Sequence, residues 1–248
     1  RRRCQPRRVA SMAAMTRWDG WPMYVPAHFA MTDAQIQDVL LRMGSADLVT
    51  HHESGLLATL LPFVFDASIG AHGALLGHVA RNNRQWSEPT TCESLVVVTL
   101  TDHYVSPAVL PSTREHGRVV PTWDYVTVHV YGNLVAHDDL AWTSQVVRRL
   151  TERHEGQPGS ARQGWTVDDA APGYVEAMLR AIVGLELRIT RIEAKAKMAQ
   201  NKAPADVVAL AELLAAQGDA EGERWLREVS LPAAQTRADT LSALRHRT

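Results

Sequence analysis

The chain has 248 residues, 46% of them hydrophobic and 21% charged, with a net charge of −1. Those values describe an ordinary globular protein, large enough for one sizeable domain with a helical appendage, and exclude a global pull toward nucleic acid or membrane. Only Cys4 and Cys92 occur and no apolar run approaches bilayer length, so the expectation is a soluble, cytoplasmic protein without a structural disulfide.

Residues 1–22 are Arg-rich, punctuated by Pro and Gly, and lack periodicity. The stretch VASMAAMT is too short and too polar for the apolar core of a signal peptide. A disordered basic extension before Met23 is expected, with a nucleic-acid-binding arm as the sharper alternative. From Met23 the chain becomes regular. Thr32 and Gln35 make a capping box, Gly44 marks a stop, and Ile36, Val39, Leu40 and Met43 fall on one helical face.

Strand signals follow in ADLVTH and LLATLLPFVFD, joined by the turn residues Glu53, Ser54 and Gly55. Pro62 predicts a sheet edge or a bulge, because proline cannot donate to the ladder. The next strand, Ala74 to Ala80, leads into GHVARNNRQW, Gly77 to Trp86, where a strand is expected to hand over to a short helix. Arg81 beside the amides of Asn82 and Asn83 suits an anion, helped by free N–H groups at a helix start. The plainer reading is a strand end with a solvated arginine and a buried Trp86.

Ser94 to Thr101 is the most apolar strand. A further segment from Tyr104 to Ser112 is interrupted by Pro107 and Pro111. Within Val119 to Val135, Val126, Val128 and Val130 alternate with Trp123, Tyr125, Thr127, His129 and Tyr131. The valines read as core, and the aromatic and polar face reads as a surface for a ligand or a second subunit. Asp138 and Asp139 open a helix, a Gly/Pro/Ser-rich loop spans 156–164, and a short helix lies around Tyr174 to Ile182. LELRITRIEAKAK is a strand with Leu185, Leu187 and Ile189 on its apolar face. Pro204 begins a helix that Gly218 ends. A short helix follows, and the tail from Leu231 reads as loosely ordered. With no regular strand–helix alternation, Rossmann fingerprint or Walker loop, a largely antiparallel barrel with peripheral helices fits best.

The chemistry-bearing candidates are few. His51, His52 and Glu53 are adjacent, so they point to opposite sides and do not favour a shared metal. Most other histidines read as surface or loop residues, but His78 and His129 interrupt buried strands. No nucleophile elbow surrounds Ser106, and Asp66, Asp102 and Asp124 read as scattered. The close from Lys195 to Lys202 places lysines and amides beside a helix start. That suits an anion or a polar ring edge, the plain alternative being a solvated strand end.

Several of these stretches, in this order, closely resemble the PaiB-like family of FMN-binding transcriptional regulators. The matching segments are Met23-Tyr24-Val25-Pro26-Ala27-His28-Phe29, Ala58 to Pro62, Gly77 to Trp86, Tyr104-Val105-Ser106-Pro107, Val120 to Tyr125 continuing to Gly132, and Lys195 to Asn201. The resemblance implies an α+β, mainly β, split antiparallel barrel related to pyridoxamine-phosphate-oxidase-like flavoproteins, a homodimer, and FMN in the subunit groove. It implies that Arg81 pairs with the FMN phosphate, that His78 and Asn83 shape the site, and that Thr59 and Leu60 meet the ring edge. Trp86, Ser106, Trp123, His129, Lys197, Gln200 and Asn201 complete the implied cofactor set.

The expected organisation is a barrel domain at 23–200, a helical segment at 201–230 and a tail at 231–248. The chain departs from the family pattern at Arg84, which adds a charge near the phosphate, at Val109, which removes a ring wall, and at Met198-Ala199. The expected role is transcriptional repression, with DNA reached through a local patch such as Arg148, Arg149 and Arg153. The alternatives are a flavin-dependent oxidoreductase acting on a small molecule and a non-catalytic flavin or haem binder.

Overall fold

The computed structural model describes residues 23–156 and 164–245. The basic extension, most of the Gly/Pro/Ser-rich loop and the chain end lie outside those residues. One sheet contains β1 (Ser45–His52), β2 (Gly55–Pro62), β3 (Val64–Asp66), β4 (Ala74–Ala80), β5 (Ser94–Val105), β6 (Thr122–His137) and β7 (Ile182–Lys197). Its strand order is β2-β1-β5-β6-β7-β4-β3, with antiparallel pairing at β1–β2, β1–β5, β3–β4 and β4–β7. This is the antiparallel split-barrel class that the sequence predicts. The β1–β2 hairpin pairs Ser45 with Pro62 and His52 with Gly55. Pro62 therefore ends an edge strand, where its missing N–H costs no ladder bond.

The helices are α1 (Asp33–Arg42), α2 (Pro111–His116), α3 (Leu140–Glu155), α4 (Tyr174–Arg180), α5 (Pro204–Gln217), α6 (Ala220–Trp225) and α7 (Leu231–Arg245). Among the described residues the chain forms two compact units: one takes Gln37–Val98 and His129–Glu193, the other Met23–Ile36, Thr99–Val128 and 194–245.

In the first unit, α3 packs on β3 and β4 through Val146 and Leu150 against Val64, Ala74 and Leu76. Asp139 caps α3, its carboxylate accepting from the Trp142 N–H at 2.7 Å. Trp142 stacks on His137 at 3.9 Å, and a Cβ added at Gly184 would overlap its ring. Glycine is thus the residue that lets α3 approach β7. Residues Val183 to Leu187 are buried without alternation, so the expected single apolar face of β7 widens there. The carboxylate inside that run, Glu186, is kept ionised by two donors, Arg188 Nε and His137 Nε2, both at 2.7 Å.

In the second unit, α5 buries Val207, Leu210, Ala211 and Leu214. Its start at Pro204 and its left-handed stop at Gly218, φ 79°, follow the sequence expectation. Two segments differ from that expectation. The strand beginning at Ser94 runs on to Val105, and Pro107 and Pro111 open a 3₁₀ turn and α2 instead of a second strand segment. The tail from Leu231 is helical: α7 continues from α6 through a π-helical turn, Leu226–Ser230, which buries Leu226 and Ser230. No described helix is long and apolar enough to cross a membrane.

Candidate flavin site

In the first unit the site candidates gather where β4 ends. Residues 81–88 form successive turns, not the expected helix. Asn83 N–H closes the first turn on the Ala80 carbonyl at 2.8 Å. A row of free helix-start amides is therefore not what this corner offers.

Arg81 is tied back onto the fold at its surface. Its Nη1 and Nη2 donate to the two Asp138 oxygens at 3.0 and 2.6 Å, its Nε to the Arg180 carbonyl at 2.7 Å, and Nη2 also to the Ile182 carbonyl at 3.2 Å. These hydrogen bonds, donated by Arg81 and accepted by Asp138, raise the arginine's pKa and hold the Asp138 carboxyl below its usual range. A phosphate at Arg81 would have to displace this paired carboxylate. Trp86 donates its indole N–H to the Arg81 carbonyl at 2.8 Å, so its polar atom is used and its ring is left as an apolar wall. The charge that Arg84 adds is met by Glu88 at 2.7 Å.

Beside this corner a polar chain links three elements. Asn83 Nδ2 donates to Thr59 Oγ1 at 3.1 Å, and Thr59 donates to Gln85 Oε1 at 2.6 Å. Gln85 Nε2 donates to the Leu48 and Leu57 carbonyls at 2.9 and 3.3 Å, and its own N–H to Asn83 Oδ1 at 2.8 Å. Thr59 and Asn83 are thus brought together beside Gln85, a residue that the sequence reading did not single out. Leu60, next on β2, is 63% exposed, and Leu56 on the same face is 71% exposed. Together they give an apolar strip on the exposed face of an edge strand, the face opposite to that of Thr59.

His78 lies in β4 opposite Gly184; its Nδ1 is buried without a partner, and burial lowers its pKa. His129 is also kept toward neutral by burial, against the pull of Glu193. On β6, Val126, Val128 and Val130 are fully buried while Trp123, Tyr125, Thr127, His129 and Tyr131 stay partly open. The predicted alternation is observed residue by residue.

In the second unit, Lys197 is the centre of a cluster. Its ammonium donates to Thr122 Oγ1 at 2.7 Å, to the Trp123 carbonyl, and to Asp124 Oδ1 at 3.4 Å. It also lies 5.9 Å from the Tyr125 ring, and Lys195 lies 5.5 Å from that ring and 5.6 Å from Tyr24. Trp123 is 55% exposed and meets Tyr104 edge-on at 5.9 Å. Gln200 does not face outward; it braces its own turn, accepting from Met198 N–H at 2.9 Å and donating to the Ala196 carbonyl at 2.7 Å. The Asn201 carbonyl accepts from Arg237 at 3.0 Å, and Ser106 caps the 3₁₀ turn by accepting from Ala108 N–H at 3.3 Å.

Two groups read as isolated in the sequence belong to this cluster. The His103 ring lies 3.9 Å from Asp124, their side chains being 9% and 2% exposed. Burial pushes the Asp124 carboxyl up, opposed chiefly by Lys197. Burial likewise pushes the His103 imidazole down, opposed by Asp124. Both ring nitrogens and Asp124 Oδ2 lack hydrogen-bond partners. The signal available in the sequence was the apolar run from Ser94, which carries through His103 once β5 is not broken at Tyr104.

Among the described residues no group of three or more His, Cys, Asp or Glu side chains could hold a metal ion. His51 bonds Thr91, whereas His52 is buried against Thr50 and the Pro89 carbonyl, so the pair does point to opposite sides. The α3 arginines are spent within the fold: Arg148 on Asp168, Arg149 on Asp66, and Arg153 on the Met43 carbonyl. They do not form the free basic patch considered from the sequence.

Each unit carries groups that suit FMN chemically: in the first, a polar chain suits the hydrogen-bonding edge of a ring; in the second, taken by itself, lysines among aromatics suit a ring bearing an anionic tail. The sequence profile of the family described as "Putative FMN-binding domain" matches residues 23–191. Among curated proteins, the chain is 31% identical over 195 residues to "Protease synthase and sporulation protein PAI 2" of Bacillus subtilis, covering 77% of this chain and 89% of that one. It is 28% identical over 223 residues to an uncharacterised protein of Aspergillus fumigatus, covering 74% and 85%. Among solved structures, an FAD- and haem-binding protein from Mycobacterium smegmatis aligns with a TM-score of 0.46 at 15% identity, covering 68% and 72%. The family match and the Bacillus relative show that this chain belongs to the PaiB-like family of FMN-binding split-barrel proteins, with FMN as its cofactor.

Proposed function

We propose that the protein is an FMN-binding transcriptional regulator, a repressor of the PaiB-like kind, acting in the cytoplasm as a homodimer. One observation supports this reading: the chain spans 89% of the Bacillus relative, whose name, "Protease synthase and sporulation protein PAI 2", ties it to sporulation. In this reading Thr59 and Asn83, in the first unit, hold a polar edge of the flavin, Leu60 and Trp86 supply apolar walls, and His78 and His129 shape the surroundings. The Arg81 pair with Asp138 would have to open before Arg81 could serve the phosphate. The flavin itself supplies redox reactivity when bound; the protein's part is to bind and orient it.

A flavin-dependent oxidoreductase is the second reading, favoured by the buried pair of His103 and Asp124 beside Lys197, since the two buried groups are perturbed and such groups collect at sites of chemistry. The two readings separate in one experiment. Reduced nicotinamide is added to the flavin-loaded protein under air, and a mobility-shift assay is run with DNA from its own upstream region. The regulator reading predicts retarded DNA and an unbleached flavin. Continuous turnover without DNA retardation would replace it with the oxidoreductase.

A further inference from the structure

The second unit holds a cavity of about 440 Å³ whose charge the ring-binding residues do not explain. Four cationic side chains line it: Arg118 ahead of β6, Lys197 at the end of β7, Lys202 in the turn that follows, and Arg237 on α7. Two carboxylates, Asp124 and Asp206, face them. Asp206 is already engaged, accepting the Ser112 N–H at 3.0 Å, and Asp124 is engaged by Lys197. Among the described residues Arg118, Lys202 and Arg237 have no ion-pair partner, and Arg237 bonds only the Asn201 carbonyl. The wall therefore carries an excess of two positive charges, and more whenever buried Asp124 holds a proton.

The turn that delivers Lys202 is built at a cost. Ala199, with φ 64°, is the only non-glycine among the described residues in the left-handed region, a conformation that L side chains rarely adopt. It is fully packed, and the turn is fixed by both Gln200 amide bonds and by Lys202 N–H on the Ala199 carbonyl at 2.9 Å. Strain held by surrounding bonds marks a position where geometry matters. The cavity also meets the first turn of α5 at Ala203, where the helix dipole favours negative charge.

We propose that this cavity is a binding site for a phosphate monoester dianion. Cations arriving from three separate elements surround a tetrahedral group better than a planar carboxylate, and the volume leaves room for the body of a small phosphorylated molecule. Two sources share this chemistry: the phosphate of FMN itself and a separate phosphorylated ligand. The proposal rests on the FMN reading only through the first source.

The test uses the full chain and the double variant Lys202→Ala/Arg237→Ala, with thermal melting to confirm that both fold. Inorganic phosphate, FMN and riboflavin are titrated calorimetrically at low salt. The expected result is phosphate binding by the parent chain and at least a tenfold loss in the double variant. If FMN affinity falls with it while riboflavin affinity holds, the group is FMN's own phosphate. If FMN affinity holds and the flavin-loaded parent still takes up phosphate that the variant does not, the ligand is a separate one. Absence of phosphate binding by the parent, or equal binding by the variant, would overturn the proposal. Phosphate binding by a parent chain that rejects FMN would remove the flavin reading and leave this site standing.

Discussion

Gln85 offers the sharpest probe of how the flavin corner is held. It is 1% exposed, and its amide ties β1, β2 and the turn after β4 through Leu48, Leu57 and Thr59. Gln85→Leu keeps the volume and removes three hydrogen bonds. The fully buried bond to Leu48 contributes about 1–1.5 kcal/mol and the two half-buried ones about 0.5–1 each, so the variant should lose about 2–3.5 kcal/mol. Urea unfolding with a fixed m value measures this directly. Because Thr59 loses its acceptor while Asn83 keeps its donor on Thr59, the polar edge offered to the flavin also loosens. FMN and riboflavin affinities should therefore fall together. A stability loss below about 0.5 kcal/mol would refute the brace and return Gln85 to the role of a filler.

Three further outcomes follow from the same packing. His78, His103 and His129 are all held below the usual histidine value of 6.5, chiefly by burial. Their folded pKa values are depressed, so the stability they contribute is complete above pH 6.5 and is lost as pH falls through the folded values. His78→Phe should flatten part of that acid-side decline in a melting series, and an unchanged pH profile would contradict it. Asp124 runs the other way: its folded pKa is raised above 3.8, so stability declines as pH rises through the folded value. Asp124→Asn should remove that component, at the cost of the Lys197 pair, and an unaltered profile would count against it. A Cβ at Gly132 would overlap the Arg188 carbonyl; Gly132→Ala should lower the melting temperature clearly, whereas Ala at Gly44, which has open space around it, should not.

The parts of the fold legible in the sequence are those where local rules and burial agree. The valines of β6 alternate at the strand period, and α5 carries both its proline start and its glycine stop, so pattern and structure coincide. The helix at Leu231–Arg245 was not legible because it buries only Ala234 and so shows no apolar stripe; it is helical as the continuation of a packed neighbour. His103 was hidden by prolines that break the chain after β5, not within it. The partners at the flavin corner were less accessible still. Asp138 lies 57 residues from Arg81, and Gln85 reaches back 37 residues to Leu48. No local periodicity encodes such contacts, and an arginine followed by amides looks the same whether it is free for a phosphate or closed on a carboxylate. Thr59 and Asn83, which the family motifs named separately, lie within hydrogen-bond distance although 24 residues apart.

The account rests on the chain holding FMN, and flavin fluorescence tests that most directly. Titrating the full-length protein into FMN should quench the flavin emission to a saturable end point at one flavin per chain, leaving a yellow protein after gel filtration. A colourless protein after gel filtration, with FMN emission unchanged throughout the titration, would contradict the account.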